Sequence, residues 1–389
     1  MPTIIDYLEK NKDRSLKDFP LTDADILCLN EIGYFSFGDF FDENAKILQK
    51  VKIRDILQKN QNYNYNFLVT KTRVDLLNIM LVSKRFSDLR LSHYINDVDV
   101  EYERQFAAMV FSLPEINYSQ LVFRGTDDTL IGWKEDFKLT YMREISAHRS
   151  AISYLEDYLS HTKQNIVISG HSKGGNLAIY ATSHIQYSLR GNISQVYMFD
   201  SPGLQKKELD SFGYQTIRNR VRVIRPEESI VGVMLYNDIE PEVIQSQASG
   251  IMQHAATNWQ VNIDTGNFIR SDKPTELSIT LEKTFKQWTD ELSNQELKIL
   301  FDTLFDTLMT SGIKSLNDLS TAKDIGSKLT GVIANFNSIN ADKKLILVKS
   351  AKLFITTFAE YSNLSSFNIK PDFNMPDLAG LKEWFGGKK

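Results

Sequence analysis

Between Ile166 and Ala178 the chain reads Ile-Val-Ile-Ser-Gly-His-Ser-Lys-Gly-Gly-Asn-Leu-Ala, an uncharged β-branched run passing through Gly-x-Ser-x-Gly into a helical pattern. Few folds accommodate that order. Ile166, Val167 and Ile168 suit a strand covered on both faces, and Asn176 to Ala181 opens a helix. Ser172 falls on the bend between them. Gly170 and Gly174 carry no Cβ, so strand and helix can crowd together while the serine takes a strained conformation with its Oγ exposed. The spacing predicts a nucleophilic hydroxyl at the carboxyl end of a buried strand, in preference to an incidental serine in a glycine-rich turn.

A second short apolar strand, Ser119 to Phe123, stops abruptly in Arg124-Gly125-Thr126, with Trp133 and Asp136 behind it. From about Phe106 to Val261 this pattern, with the later Gly-His-Ser-x-Gly-Gly, resembles the fungal-type (class 3) lipases and their poorly characterised bacterial relatives. The resemblance implies an α/β-hydrolase fold and a serine hydrolase that cleaves carboxylic esters. In that family the hydroxyl residue after Arg-Gly supplies an oxyanion-hole donor, a position matched by Thr126. The second donor is the backbone N–H of the residue after the nucleophile, here Lys173. Two preoriented donors stabilise the negative charge that an acyl-transfer intermediate places on the former carbonyl oxygen. The family usually has an apolar residue where this chain has Lys173, whose side chain is expected to be solvated. Leu130, Ile131 and Trp133 follow the oxyanion turn, where the family keeps a lid or pocket wall, and either contact an acyl chain or belong to the core.

Hydrolases of this fold run in chain order nucleophile, acid, histidine. Of six histidines, His93, His148, His161 and His171 precede Ser172, and His184 lies on the helix that the nucleophile turn launches. His254 remains as the general base, in a loop after a strand-like stretch. The resemblance places the acid just before Ser229-Ile230-Val231-Gly232, which selects Glu228 at the end of a strand stopped by Pro226. Glutamate there departs from the family's usual aspartate. Asp200, ending the strand Gln195 to Phe199, is the alternative, and Glu227 the third choice.

The 389 residues suffice for one large α/β domain and a smaller companion. With 45 basic against 49 acidic residues there is no basic field for nucleic acid. Cys28 is the single cysteine, which excludes a disulfide framework and thiolate metal sites. No metal or cofactor is expected. The amino terminus lacks a basic region followed by a long apolar stretch, and the apolar runs are too short to cross a bilayer, so a cytoplasmic location is expected.

Strand signals alternating with helical ones from Leu89 onward predict a mainly parallel sheet flanked by helices, with ligands at the carboxyl ends of the strands. The expected organisation is a helical segment over 1–85 packing on the core, a hydrolase core over 86–272, and an α-helical appendix over 273–389. In the first part helices are expected over Asp23 to Ile32 and Val74 to Phe86. In the last, Leu281, Phe285, Trp288 and Leu292, then Leu297, Leu300, Phe301 and Leu304, keep helical spacing, and Asp342 to Tyr361 forms a third amphipathic stretch. Leu378, Leu381, Trp384 and Phe385 suggest a short interfacial patch that binds a membrane surface only weakly. The substrate class is a small ester or lipid. Rival readings are a non-catalytic binding or scaffold protein on a hydrolase fold, and a thioesterase, amidase or acyltransferase with the same triad. Acyl-chain length and oligomeric state leave no mark in the sequence.

Overall fold

A computed structural model of the chain describes residues 1–40, 50–57, 63, 65, 68–99, 101, 103–127, 129–313, 335 and 338–362. The first helices are α1 (Ile4–Asn11) and α2 (Asp23–Ile32), followed by strand β1 (Val51–Lys52), α3 (Ile53–Ile56) and α4 (Lys71–Val82). Thr3, Thr22 and Thr70 cap α1, α2 and α4, each hydroxyl accepting an N–H from the first turn. The helix expected over Val74 to Phe86 thus starts earlier, at its cap, and stops at Val82. Beyond it the extended Ser83 lets Arg85 and Phe86 turn into the core.

The remaining strands are β2 (Arg90–Asp99), β3 (Arg104–Leu113), β4 (Tyr118–Phe123), β5 (Ile166–His171), β6 (Ile193–Phe199), β7 (Val221–Pro226) and β8 (Glu242–Ile244). They form one sheet in chain order. Pairing is antiparallel from β1 to β4 and parallel from β4 to β8. Between β4 and β5 run α5 (Leu130–Lys138) and α6 (Ser146–Ser160). Helix α7 (Lys173–His184) links β5 to β6, and α8 (Lys206–Leu209) and α9 (Phe212–Ile217) link β6 to β7.

Parallel strands that follow chain order, joined by crossovers of one hand, place their helices on one face of the sheet. On that face Leu121, Phe123, Ile168, Val196 and Met198 pack with Leu155, Leu177, Ala181 and Ile217. The alternate residues Val122, Val167, Tyr197, Phe199 and Ile224 point the other way. With no crossover helix to cover them, they are buried by Tyr7, Leu27, Ile32 and Leu77 of the amino-terminal helices, and by Trp259 and Phe268. Arg85 fastens this layer. Its Nε donates to Asp25 Oδ1 at 2.7 Å, both side chains are fully buried, and the guanidinium also donates to the carbonyls of Phe19 and Pro20 at 2.8 and 2.9 Å.

Among the described residues, three helices follow the core: α10 (Glu276–Glu291), α11 (Asn294–Thr310) and α12 (Ala341–Tyr361). Trp288, Leu297, Phe301 and Phe305 form a third apolar cluster with Leu130 and Tyr141 of the core, and Phe137 stacks on Phe301 with ring centroids 4.6 Å apart. Buried Lys134 joins Asp306 Oδ1 at 2.9 Å and Glu103 Oε1 at 2.7 Å. Helix α11 therefore packs on α5, the helix behind the Arg-Gly-Thr turn, and α12 packs on both α10 and α11. The stretch carrying Leu378, Leu381, Trp384 and Phe385 lies outside the described residues. Among the described residues no helix is long and apolar enough to cross a membrane.

Candidate active site

Ser172 joins β5 to α7 with φ 57° and ψ −133°, a conformation that non-glycine residues adopt only when their surroundings enforce it. Close packing enforces it here. A Cβ on Gly170 would collide with the backbone of Gly174, and one on Gly174 with the carbonyl of Phe123, so α7 starts hard against β4 and β5. The Ser172 N–H donates to the Phe199 carbonyl at 3.0 Å, which brings the serine beside the end of β6. Across the elbow, a Cβ on Gly125 would strike the Tyr34 hydroxyl and lie 2.6 Å from the His171 carbonyl. The Arg-Gly-Thr turn can approach the serine only because that position is glycine.

Asp200, the residue after β6, is 1 % exposed, and its Oδ2 accepts a hydrogen bond from His254 Nδ1 at 2.7 Å. Its Oδ1 accepts from the Ser229 hydroxyl and, at 3.1 Å, from the Gly232 N–H. The run Ser229 to Gly232, expected to follow the acid, instead wraps the carboxylate of Asp200. Glu228, the expected acid, does not hold the imidazole. Its Oε2 accepts from the Gly250 N–H and from Gln253 Nε2, and so braces the loop that carries His254. The reason is strand order. β6 pairs directly with β5 and its end flanks Ser172, whereas Glu228 follows β7, one strand further out. Glu227 is further still from that role, its carboxylate accepting from the Ser271 hydroxyl at 2.8 Å.

A feature that the sequence reading missed lies behind the imidazole. The Tyr34 hydroxyl donates to His171 Nδ1 at 2.7 Å, and His171 Nε2–H donates to the His254 carbonyl at 2.8 Å. The tautomer follows from the carbonyl, which can only accept. Burial pushes the His171 pKa well below its ordinary value and raises that of Tyr34, so both stay neutral. The His171 and His254 rings lie 4.5 Å apart. Tyr34 follows α2, so the amino-terminal layer holds the main chain of His254 in place. His171 stands inside the serine motif, but nothing near Tyr34 marks its role.

Thr126 is buried, and its hydroxyl donates to Asp136 Oδ2. Lys173 is not solvated as expected but 1 % exposed. Its Nζ lies 3.0 Å from Glu135 Oε2, 3.0 and 3.1 Å from the carbonyl and Oε1 of Gln105, and 3.5 Å from Asp136 Oδ1. The carboxylates of Glu135 and Asp136 on α5 draw the ammonium inward. Burial raises the Asp136 carboxyl to about 6 against the pull of Lys173. Ser172, Lys173, Asp136, Trp133, Phe137, Leu139, Pro202, Val231 and Met234 line a mostly apolar cavity of about 40 Å³. Trp133 forms part of that wall. Leu130 is instead packed with the carboxyl-terminal helices, and Ile131 is half-buried away from the cavity.

The other histidines make different contacts. His148 is buried on α6, its Nε2–H donating to Asn176 Oδ1 at 2.8 Å, and burial lowers its pKa to about 3. His184 faces its own helix, accepting no role near Ser172. Among the described residues no cluster of His, Cys, Asp and Glu has the arrangement of a metal site.

Residues 80–306, more than half of the chain, match the family model described as Mbeg1-like. The chain belongs to the Mbeg1-like family. This is a lipase-like family, in agreement with the resemblance read between Phe106 and Val261, and the chain's class is that of a lipase- or esterase-type hydrolase. A solved structure described as the crystal structure of M37 lipase is similar at 14% identity and a TM-score of 0.35, covering 54% of this chain and 68% of that one. No curated protein matches the chain.

Proposed function

We propose that this Mbeg1-like protein is a serine carboxylester hydrolase in which Ser172 is the nucleophile, His254 the general base and Asp200 the residue that orients the base. The observation that carries the reading is the 2.7 Å bond from His254 Nδ1 to buried Asp200, formed beside a serine held at positive φ. With Nδ1–H committed to the carboxylate, Nε2 presents the lone pair that a serine proton needs. Ser172 Oγ attacks the ester carbonyl carbon as its proton passes to Nε2. The tetrahedral intermediate collapses when the imidazolium returns that proton to the departing alcohol, and water, activated by the same nitrogen, releases the acid.

The oxyanion donors in this reading are main-chain N–H groups. Lys173 opens α7, where a helix N–H has no intrahelical acceptor. The Thr126 hydroxyl is committed to Asp136, so its side chain anchors the turn and its backbone N–H is the second donor. The apolar wall of Trp133, Phe137, Leu139 and Met234 beside Ser172 suits an acyl chain. The test is labelling with a fluorophosphonate and turnover of p-nitrophenyl esters of graded chain length, before and after Ser172→Ala. Both are expected to vanish in the variant while the circular dichroism spectrum stays the same. Labelling that persists overturns the assignment.

A further inference from the structure

A lysine at the first position of a helix is electrostatically misplaced, because that end of the helix already carries partial positive charge. Burying its ammonium adds a desolvation penalty. Lys173 accepts both costs next to the nucleophile, which asks what the charge does. Its Nζ reaches β3 through the carbonyl and Oε1 of Gln105 and α5 through Glu135, with Asp136 3.5 Å away. Glu135 extends the connection, Oε2 accepting the Gln105 N–H and Oε1 the Ala147 N–H at the start of α6, each at 3.0 Å. Asp136 extends it to the Arg-Gly-Thr turn by accepting the Thr126 hydroxyl.

We propose that the Lys173 side chain is a positioning residue for the oxyanion hole, tying α5 and the Thr126 turn to the amino end of α7 so that two main-chain donors on separate elements keep a fixed separation. The inference rests on the hydrolase reading above. One residue then serves the hole twice: its backbone is one donor, and its ammonium locates the turn that carries the other.

The groups that face Asp136 are Lys173 from α7, Glu135 from α5 itself and the Thr126 hydroxyl from the turn. Those that face Lys173 are Glu135 and Asp136, with Asp127 of the turn behind them. Burial drags the ammonium down, but the carboxylates more than offset it and hold Lys173 protonated. In return Lys173 opposes the burial that raises Asp136 to about 6. Without the ammonium, Asp136 takes up a proton nearer neutrality, and the charge-assisted anchor of Thr126 is lost.

The experiment compares wild type, Lys173→Met and the double variant Lys173→Met/Glu135→Gln, which removes the carboxylate that the first change strands. Thermal unfolding, Ser172 labelling by a fluorophosphonate, and kcat and KM for p-nitrophenyl butyrate across pH are measured on each. In the variants kcat is expected to fall by about 10- to 100-fold with KM within about threefold, since a misplaced oxyanion donor acts on the transition state. The acid limb of kcat is expected to move up by about one pH unit. The double variant is expected to regain thermal stability without regaining kcat. A folded variant with wild-type kcat and an unmoved acid limb overturns the proposal while leaving the hydrolase reading standing. Wild type that neither labels nor turns over any ester overturns the hydrolase reading, and this role with it.

Discussion

His254 Nδ1 lies 2.7 Å from Asp200 Oδ2, although 54 positions separate the two residues and a glutamate stands closer to the histidine in sequence. The carboxylate is wholly buried and holds two further donors, the Ser229 hydroxyl and the Gly232 N–H, so it cannot swing away from the imidazole without stranding them. Asp200→Asn is accordingly expected to lower kcat by about four orders of magnitude, because an amide permits the wrong imidazole tautomer. Glu228→Gln, which touches only the His254 loop, should cost about tenfold or less. Steady-state kinetics on both variants decide the assignment, and the reverse order of losses refutes it.

Removing the Tyr34 hydroxyl tests the brace behind His254. Tyr34→Phe leaves a buried His171 nitrogen without its donor, a loss of about 1–3 kcal/mol in folding stability. Urea unfolding monitors that change. Because His171 holds the His254 carbonyl, kcat is also expected to fall, while His161→Ala, on an exposed residue outside this chain of bonds, changes neither quantity.

Asp136 links activity to pH with opposite signs for function and stability. Its carboxyl ionises near 3.8 when unfolded and at about 6 when folded. Between those values the folded state binds the extra proton, so stability is greatest below the window and declines as pH rises through it. The full penalty persists above pH 6. Asp136→Asn is therefore expected to match or exceed wild type in thermal stability at pH 7, yet to lose ester turnover as the Thr126 anchor weakens. Scanning calorimetry at pH 4 and 7 beside kinetics checks both parts; a variant less stable than wild type at pH 7 contradicts the account.

The carboxyl-terminal helices reach the site through α5. Phe301 stacks on Phe137 and meets Trp288 edge-on at 5.9 Å. Phe301→Ala removes a buried ring and is expected to destabilise the protein by about 3–5 kcal/mol. Since Phe137 also lines the cavity beside Ser172, KM for long-chain esters should rise more than KM for short ones. Equal changes across a chain-length series would separate the appendix from substrate binding.

Much of the core was legible because its signals are local. The bend at Ser172, the strand ending in Arg124-Gly125-Thr126, and the helices over Asp23 to Ile32 and Asp342 to Tyr361 each follow from a few neighbouring residues and their spacing. Lys173 was misread for a reason that is equally physical. A lysine is a surface residue unless carboxylates meet it inside, and Glu135 and Gln105 reach it only once α5 and β3 have folded against α7. Leu130 and Trp133 sit three positions apart on one helix and both pack against the carboxyl-terminal cluster, yet only Trp133 also lines the cavity.

By itself the sequence determined the strand, turn and helix that present Ser172, and the alternation that gives the sheet two apolar faces. Those features depend on steric rules acting over a few residues. Only the tertiary structure decided which carboxylate meets His254, because Asp200 and Glu228 both end parallel strands and the choice between them belongs to the order of strands in the sheet. It also decided that Tyr34, 137 positions from His171, stands behind the base: a sheet with all its crossover helices on one side needs another layer on the other, and the chain's first helices supply it.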